Sequence, residues 1–230
     1  MDVLWNALVE AFRLLLTGDA QTWEIVGRSL RISLTATAIA FALGLPIGAL
    51  LAFGRFPGRR FTLAVVNTGM GVPPVVAGLV ITVLLWRSGP LGGLGLLYTP
   101  TAMVIAQAVI AFPLVAGLSA ASLQHVDPEF RLQMQALGAG RVRSLWIVAL
   151  EARLPLLAAG MAGFGAVISE VGAALMVGGN IAGQTRVLTT AAVLEASKGA
   201  FALALALGII LLVIAFAVNL VLTAVQQRGA

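Results

Sequence analysis

The first candidate for chemistry is Glu170, which follows Ser169 within a long apolar stretch. A carboxylate at membrane depth is costly, so it needs a hydrogen-bonding partner or a polar cavity. The other long apolar stretches contain no His, Asp or Glu that could complete a proton relay. A bare carboxylate would also repel an anion. We therefore predict a structural or gating role, in which Glu170 accepts hydrogen bonds from backbone amides or from Ser169.

Most enzyme chemistries are disfavoured by what the chain lacks. It has no cysteine and a single histidine, His125, which argues against disulfides, cysteine-based zinc sites and Cys-His or Ser-His catalysis. The glycines of residues 88–95 are not followed by Gly-Lys-Ser or Gly-Lys-Thr, so this segment is not an ATP-binding loop. We predict no catalytic residue, no cofactor and no metal site.

A second candidate is the Gly- and Pro-rich segment 69–74, which interrupts another apolar stretch. Such a break is tolerated in hydrocarbon only where protein or a water-filled cavity covers the freed backbone groups, so it should line a passage. Neutral donors beside it would let an anion pass without holding it tightly. The alternative is a kinked helix packed on its neighbours. The predicted translocation-path residues are Asn67, Thr68, Gly71, Pro73, Pro74, Ser169 and Glu170.

A third candidate is the segment 178–186, which is rich in glycine and ends in a cation. Backbone amides, hydroxyls and arginine suit a tetrahedral oxyanion. We predict a flexible segment in which Asn180, Thr185 and Arg186 contact an anion or a binding protein. The alternative is a loop that merely closes the helical bundle.

The composition indicates that these candidates belong to a membrane protein. Of the 230 residues, 60% are hydrophobic and 10% are charged, and the mean hydropathy is +1.04, whereas a soluble domain is about 25% charged. The net charge of +5 comes from basic residues scattered among apolar runs, not from a basic stripe with interleaved aromatics. That distribution predicts no nucleic-acid partner.

Five apolar stretches are long enough to cross a bilayer, which takes about 20 helical residues. Their backbone amides must be paired within each segment, so all five are predicted as helices. They are residues 32–53, 63–86, 102–123, 154–177 and 201–225. The predicted fold class is therefore all-α, a polytopic membrane bundle. Because five helices bury too little to enclose a wide passage alone, we expect a homodimer with the passage on its two-fold axis.

The positions of the basic residues predict the orientation of the spans. The tightest cluster lies at residues 55–60, which the positive-inside rule assigns to the cytoplasm. Alternation then places residues 124–153 and the tail with Arg228 on the same side. The loops 87–101 and 178–200 fall outside.

The N-terminal residues 1–27 are also predicted outside the cytoplasm. Their early mixture of charged and aromatic residues does not resemble a signal peptide, so we expect the N-terminus to be retained. Residues 3–16 are too short and too charged to cross and are predicted as an interfacial helix. The alternative is a sixth, tilted span, which would put Glu10 and Arg13 at membrane depth.

The polar stretch 124–153 is predicted to form two short helices. Asp127 can cap a helix whose first residue is Pro128, and Gly138 or Gly140 can end it. Apolar side chains then recur at i, i+4 and i+7, which gives one face that could enter a partner's groove. These are Phe130, Met134 and Leu137, and a second helix is expected at about 142–152. The alternative is a linker helix lying on the membrane surface.

This stretch resembles the coupling loop of ABC-importer permeases, whose pattern is E-A-A, three residues, G, nine residues, I, one residue, L-P. Gly138 matches the glycine, and Val148 and Leu150 fall at the next two positions. Leu132 begins the triplet that stands in place of E-A-A, and Glu151 stands where proline is expected. The resemblance implies docking on an ATP-binding cassette ATPase through Asp127, Pro128, Phe130, Met134, Leu137, Gly138 and Ala139.

Three longer blocks resemble tungstate-type permeases of ABC importers. They are NTGMGVPPVVAGL at 67–79, SGPLGGLGLLYTPTAMVIAQ at 88–107 and ISEVGAALMVGGNIAGQTRVLTTA at 168–191. The last block also resembles the wider molybdate and sulfate group, whose pattern is approximately G-E-x-G, an apolar run, G-N-I-x-G, x-T. The resemblance supports the oxyanion class, and tungstate is the narrower expectation within it.

The resemblance implies a single type I importer permease domain over residues 1–230, with about five transmembrane helices and an N-terminal interfacial helix. It also implies a multi-pass, lipid-contacting protein of the prokaryotic plasma (inner) membrane. Each protomer would dock one ATPase subunit and receive an oxyanion from an extracytoplasmic binding protein, with alternating access driven by ATP. Molybdate or sulfate import is the alternative in the class. A secondary transporter or channel is less favoured, because we find no internal repeat.

Overall fold

The structure is a computed structural model that describes residues 2–228. Residues 1, 229 and 230 of the predicted domain lie outside the described residues. Within 2–228 the chain forms eleven α-helices, one 3-10 turn at Gly92–Leu94 and no strand, which confirms the all-α class. The helices are α1 (Asp2–Leu16), α2 (Ala20–Phe53), α3 (Arg59–Met70), α4 (Pro74–Leu85), α5 (Pro100–Gln124), α6 (Pro128–Ala136), α7 (Arg141–Glu151), α8 (Arg153–Ile168), α9 (Gly172–Gly178), α10 (Leu188–Ser197) and α11 (Phe201–Arg228).

The predicted number of membrane crossings agrees with the helices of the described part of the chain. Three of them, α2, α5 and α11, are long and apolar enough to cross a bilayer, and there are up to five crossings if each of two bent pairs counts as one. The bent pairs are α3 with α4, at 103°, and α7 with α8, at 75°.

The first span lies in a helix that is longer than predicted. α2 begins at Ala20, not at residue 32, and has 34 residues, so its length of about 51 Å exceeds a hydrocarbon layer of about 30 Å. The Asp19 carboxylate caps it by accepting from the Thr22 amide at 2.8 Å and the Thr22 hydroxyl at 2.6 Å. The hydroxyl and amide bonds from Thr22 hold the pKa of Asp19 below its ordinary value. Polar residues end the apolar run here without ending the helix.

The prediction of one continuous helix over residues 154–177 is wrong. α8 ends at Ile168 and α9 begins at Gly172, with a non-helical break at residues 169–171. The segment 178–200, predicted as a loop, contains the ten-residue helix α10. Both differences arise from side-chain hydrogen bonds to the backbone, which a hydropathy pattern does not report.

The N-terminal helix is present as predicted. α1 packs along α11, where Ala7 and Ala11 are buried, while Trp5 is 68% exposed on its other side. Glu10 and Arg13 form an ion pair at 3.3 Å. Its location at the membrane interface stays a prediction, and it is not among the helices long enough to span.

Small residues let α2 and α5 form the most extensive helix pair of the bundle. Gly44 faces Val115, and Gly48 lies against Ala116 and Ser119. A Cβ atom at Gly48 would lie only 2.8 Å from the carbonyl oxygen of Ala116. Such small residues allow close backbone approach where no hydrophobic force draws membrane helices together. α5, which also contacts α3, α4, α8 and α9, is therefore the central support of the fold.

We expect Gly48→Ala to lower the thermal unfolding midpoint of the detergent-solubilised protein, because overpacking against a backbone atom costs about 1–3 kcal/mol. The matched control is Gly27→Ala in the same helix, where a Cβ atom would meet nothing within 4 Å. This variant should keep or raise the midpoint, since alanine favours a helix by about 1 kcal/mol. Tryptophan fluorescence during heating measures both. Equal midpoints for the two variants would contradict close packing at Gly48.

Candidate translocation path

The first break lies where the Gly- and Pro-rich segment predicted it. α3 ends at Met70 and α4 resumes at Pro74. Two tight backbone bonds close the end of α3, from the Gly71 amide to the Thr68 carbonyl at 3.0 Å and from the Val72 amide to the Gly69 carbonyl at 3.3 Å. The prolines that follow have no amide to satisfy, so the chain turns sharply with few unpaired donors.

The second break is organised by Glu170. Its Oε1 accepts a hydrogen bond from the Ala173 amide at 2.9 Å, and its own amide donates to the Val167 carbonyl at 3.3 Å. The predicted bond from a backbone amide is therefore present. The alternative donor, Ser169, is wrong, because its hydroxyl donates to the Gly165 carbonyl at 2.8 Å. The gating role of Glu170 stays a prediction.

The two breaks lie side by side. Gly172 packs against the Val75 side chain, and Gly78 packs against Ala173, so α4 and α9 touch directly after their respective breaks. A Cβ atom at Gly78 would lie 2.6 Å from the Ala173 Cα. The structure thus brings Pro74 and Glu170 into one region, although they are far apart in sequence.

A cavity of about 390 Å³ opens at the first break. Gly, Pro and apolar residues line it, namely Gly69, Met70, Gly71, Val72, Pro73, Pro74, Ala77, Val109, Ile110, Pro113, Leu114 and Ala166. Backbone groups are therefore its only polar lining. Asn67 and Thr68 lie exposed on α3, one turn before the break, and Ser169 is also exposed. The chemistry of this region is neutral, with Glu170 half-buried beside it.

The loop of residues 178–187, which we call the anchored loop, is held together from inside. Thr185 is 0% exposed, and its hydroxyl donates to the Gly178 carbonyl and accepts from the Ile181 amide. Its hydroxyl therefore stabilises the loop and does not face solvent in this conformation, and its contact with an anion or a binding protein stays a prediction. These bonds join residues 178, 181 and 185 to one another, and the flexibility of the segment stays a prediction.

Asn180 and Arg186, the other two residues predicted for this loop, lie together. The Arg186 Nε donates to the Asn180 side-chain oxygen at 3.3 Å, and Asn180 adopts a left-handed φ of +51°. The Asn180 side-chain Nδ2 donates to the Thr190 carbonyl at 3.4 Å. Both residues are half-buried.

Sequence reasoning missed Arg28, which holds the anchored loop from outside. It donates from Nη1 to the Arg186 carbonyl and from Nη2 to the Gly183 carbonyl, both at 2.9 Å. The same guanidinium pairs with Glu24 one turn earlier. The i, i+4 spacing of Glu24 and Arg28 indicates that α2 begins before its apolar run. Only the folded structure shows that Arg28 contacts Arg186, which is 158 residues later in the sequence.

The 124–153 stretch forms the two helices that its helix-capping and helix-ending residues predicted. The Asp127 Oδ1 accepts from the Glu129 amide at 2.8 Å at the start of α6. Gly138 has a φ of +80°, and the Ala139 amide donates to the Met134 carbonyl at 3.0 Å, which ends the helix. α7 follows over nearly the predicted range.

The predicted apolar face of α6 does not act as one surface. Phe130 turns inward and packs against a buried cluster that includes Leu123 and Val148, and Met134 is half-buried. Leu137 is 79% exposed. Phe130 thus packs partly against its own bundle in this conformation, and its contact with an ATPase stays a prediction.

Among residues 2–228 no three His, Cys, Asp or Glu side chains lie close enough to hold a metal ion.

Solved structures with the same fold come from ABC transporters. The chain matches one of the MetNI methionine ABC transporter in an inward-facing conformation with a TM-score of 0.74 at 18% identity, over 95% of this chain and 98% of that one. It matches a chain of an amino acid ABC transporter crystallised with histidines with a TM-score of 0.68 at 19% identity, over 94% and 98%. The fold is therefore that of the helical membrane-spanning chains in these structures.

The chain belongs to the family of binding-protein-dependent transport system inner membrane components, whose model matches residues 44–229. It is 40% identical to the tungstate uptake system permease protein TupB of Peptoclostridium acidaminophilum over 99% of this chain and 100% of that protein. It is 42% identical to a probable anion ABC transporter permease of Haloferax volcanii over 85% of this chain and 87% of that protein. It is 30% identical to the molybdenum transport system permease protein ModB of Escherichia coli over 74% of this chain and 77% of that protein. The protein is thus a multi-pass inner-membrane permease.

The Glu170–Ala173 bond yields a test of whether Glu170 acts by charge or by hydrogen bonding. We expect Glu170→Gln to keep the thermal unfolding midpoint, since the amide oxygen can still accept from Ala173. Glu170→Ala should lower it, because a hydrogen bond to a charged group contributes about 1.5–3 kcal/mol. Glu195→Ala, which removes an ion pair with the half-exposed Lys198, is the control with a small effect. A large loss with Glu170→Gln would mean that the charge itself is required.

Proposed function

We propose that the chain is the permease subunit of an ATP-driven importer of tungstate. Similarity to a tungstate uptake permease over the full length of both proteins carries this proposal. Molybdate or sulfate import is the second candidate, supported by 30% identity to permeases for molybdenum and sulfate over 74% and 73% of the chain. The full-length match favours tungstate over these shorter ones.

The chemistry beside the two breaks is consistent with passage of a dianion. Neutral backbone groups line the 390 Å³ cavity, and the exposed Asn67 and Thr68 offer further donors close to it. Neutral dipoles attract an oxyanion more weakly than fixed cations do, so they allow release. The Glu170 carboxylate is engaged with the Ala173 amide, which reduces its repulsion of an anion at the break. Selectivity would then reside mainly in an extracytoplasmic binding protein.

Exposed apolar side chains around α6 and α7 support docking of an ATPase subunit on the cytoplasmic side. Leu137, Val142 and Trp146 all project from this segment with most of their surface uncovered. A cluster of exposed apolar side chains marks a protein or membrane contact. The left-handed Gly138 fixes the turn between the two helices, so a displacement of this surface would be passed to α8. ATP hydrolysis in the partner would thereby drive alternating access.

The uncovered first break supports a homodimer. Gly71, Val72 and Pro73 are exposed although they interrupt a membrane helix pair. Non-helical backbone at membrane depth needs cover from protein or from a water-filled path. A second copy across a two-fold axis would supply the protein wall, and the passage between the copies would supply the water. Apolar α11 faces would contact lipid.

Uptake into proteoliposomes tests the proposed function. With the permease, its ATPase partner and the cognate binding protein reconstituted, we expect tungstate accumulation that requires ATP and stops when the catalytic residue of the ATPase is disabled. Molybdate and sulfate in tenfold excess should inhibit more weakly than unlabelled tungstate. Accumulation that persists with the disabled ATPase would refute an ATP-driven importer, and stronger competition by molybdate or sulfate would favour the second candidate.

Gly138 provides a test of the docking segment. We expect Gly138→Val to reduce ATPase co-purification and ATP-driven uptake about tenfold, because a β-branched residue at its φ of +80° is strained by about 1–3 kcal/mol. Gly140→Val is the matched control, since its φ of −63° suits any residue and a Cβ atom meets nothing within 4 Å. Equal loss in the two variants would speak against a specific role for this turn.

A further inference from the structure

The anchored loop is fixed to the bundle through its C-terminal half and the residues that follow it, and the first attachment is Arg28. The Arg28 side chain is only 12% exposed, and its two nitrogens bridge the Gly183 and Arg186 carbonyls. The ion pair with Glu24 holds the guanidinium in that orientation. A planar guanidinium that donates to two carbonyls fixes direction as well as distance, which a single lysine nitrogen cannot do.

The chain that leaves the loop is attached to the same turn of α2. The Leu188 amide, at the start of α10, donates to the Ser29 hydroxyl at 2.9 Å. The Ser29 hydroxyl in turn donates to the Ile25 carbonyl at 2.8 Å. Residues 183–188 therefore follow any movement of the polar N-terminal part of α2, which lies before the apolar run.

The second attachment leads to the break at Glu170. The Thr189 hydroxyl donates to the Glu170 carbonyl at 3.0 Å, and Thr189 is buried. The Glu170 side chain holds the Ala173 amide, and Gly172 packs on Val75 just after the first break. A continuous series of contacts thus joins Arg28, the anchored loop, Thr189 and both breaks.

We propose that Arg28 is a positioning residue that couples the anchored loop to the Glu170 break, with Thr189 as the connecting bond. A binding protein that docks on the loop would thereby change the geometry of the break. The docking of a binding protein in this inference rests on the proposed function, whereas the coupling between the loop and the break does not. Coupling of this kind requires a physical chain of contacts and a test that perturbs one end and measures the other.

Hydrogen exchange of the full chain in lipid nanodiscs tests the coupling without any transport partner. Arg28→Met keeps the apolar part of the side chain and removes the guanidinium. Backbone amide exchange should therefore rise about tenfold at residues 180–187 and also at 169–175. Arg31→Met, an exposed arginine one turn later, should change neither region. Thr189→Val should raise exchange at 169–175 alone. In the double variant Arg28→Met/Thr189→Val the break should exchange no faster than in Thr189→Val.

Exchange that rises only at the loop in Arg28→Met would overturn the proposal, as would no rise at all. Additive effects at the break in the double variant would also overturn it, because they would mean that the two residues act independently.

Stimulation of ATP hydrolysis by the binding protein tests the functional consequence in the reconstituted complex. Arg28→Met should lose about tenfold in stimulation while unstimulated hydrolysis stays within about twofold, and Arg28→Lys, which keeps the charge, should recover part of it. Equal loss of unstimulated hydrolysis would indicate a merely structural residue and overturn the proposal. If the binding protein does not stimulate the wild-type complex, the proposed function fails, and the exchange measurement still decides the coupling.

Discussion

Every backbone group at membrane depth needs a hydrogen-bonding partner. The arrangement of this fold depends on how the two helix breaks, between α3 and α4 and between α8 and α9, meet that requirement. At the first break, tight turns pair the amides that remain and prolines remove others. At the second, the Glu170 carboxylate receives the Ala173 amide and the Glu170 carbonyl receives the Thr189 hydroxyl. A carboxylate that would otherwise be unfavourable at this depth is thus stabilised as a cap.

Placing two breaks side by side demands close backbone packing, which small residues provide. Gly78 and Gly172 bring α4 and α9 into contact, and Gly48 brings α2 against α5. Each of these glycines occupies a position where a side chain would collide with a neighbour. At these positions glycine is therefore required for helix packing in hydrocarbon, where apolar side chains are surrounded equally well by lipid.

Local signals in the sequence predicted the parts of the fold that local physics decides. The long apolar helices α2, α5 and α11, the break before Pro74 and the cap at Asp127 all follow from hydropathy and backbone restrictions, and each is found. The second break, the burial of Thr185 and the inward turn of Phe130 depend on partners brought close by tertiary packing. Arg28 is the clearest case, since its importance lies in two carbonyls more than 150 residues away.

The two ends of the bundle treat polar and apolar groups in opposite ways. The anchored loop uses its polar groups internally, through Thr185 and Arg28, so it has few loose contacts to offer and is suited to receive a rigid surface. The α6–α7 segment instead leaves Leu137 and Trp146 uncovered, which is stable only if something else covers them. In the proposed importer, the anchored loop would receive the partner that delivers the anion, and the α6–α7 segment would dock the partner that hydrolyses ATP.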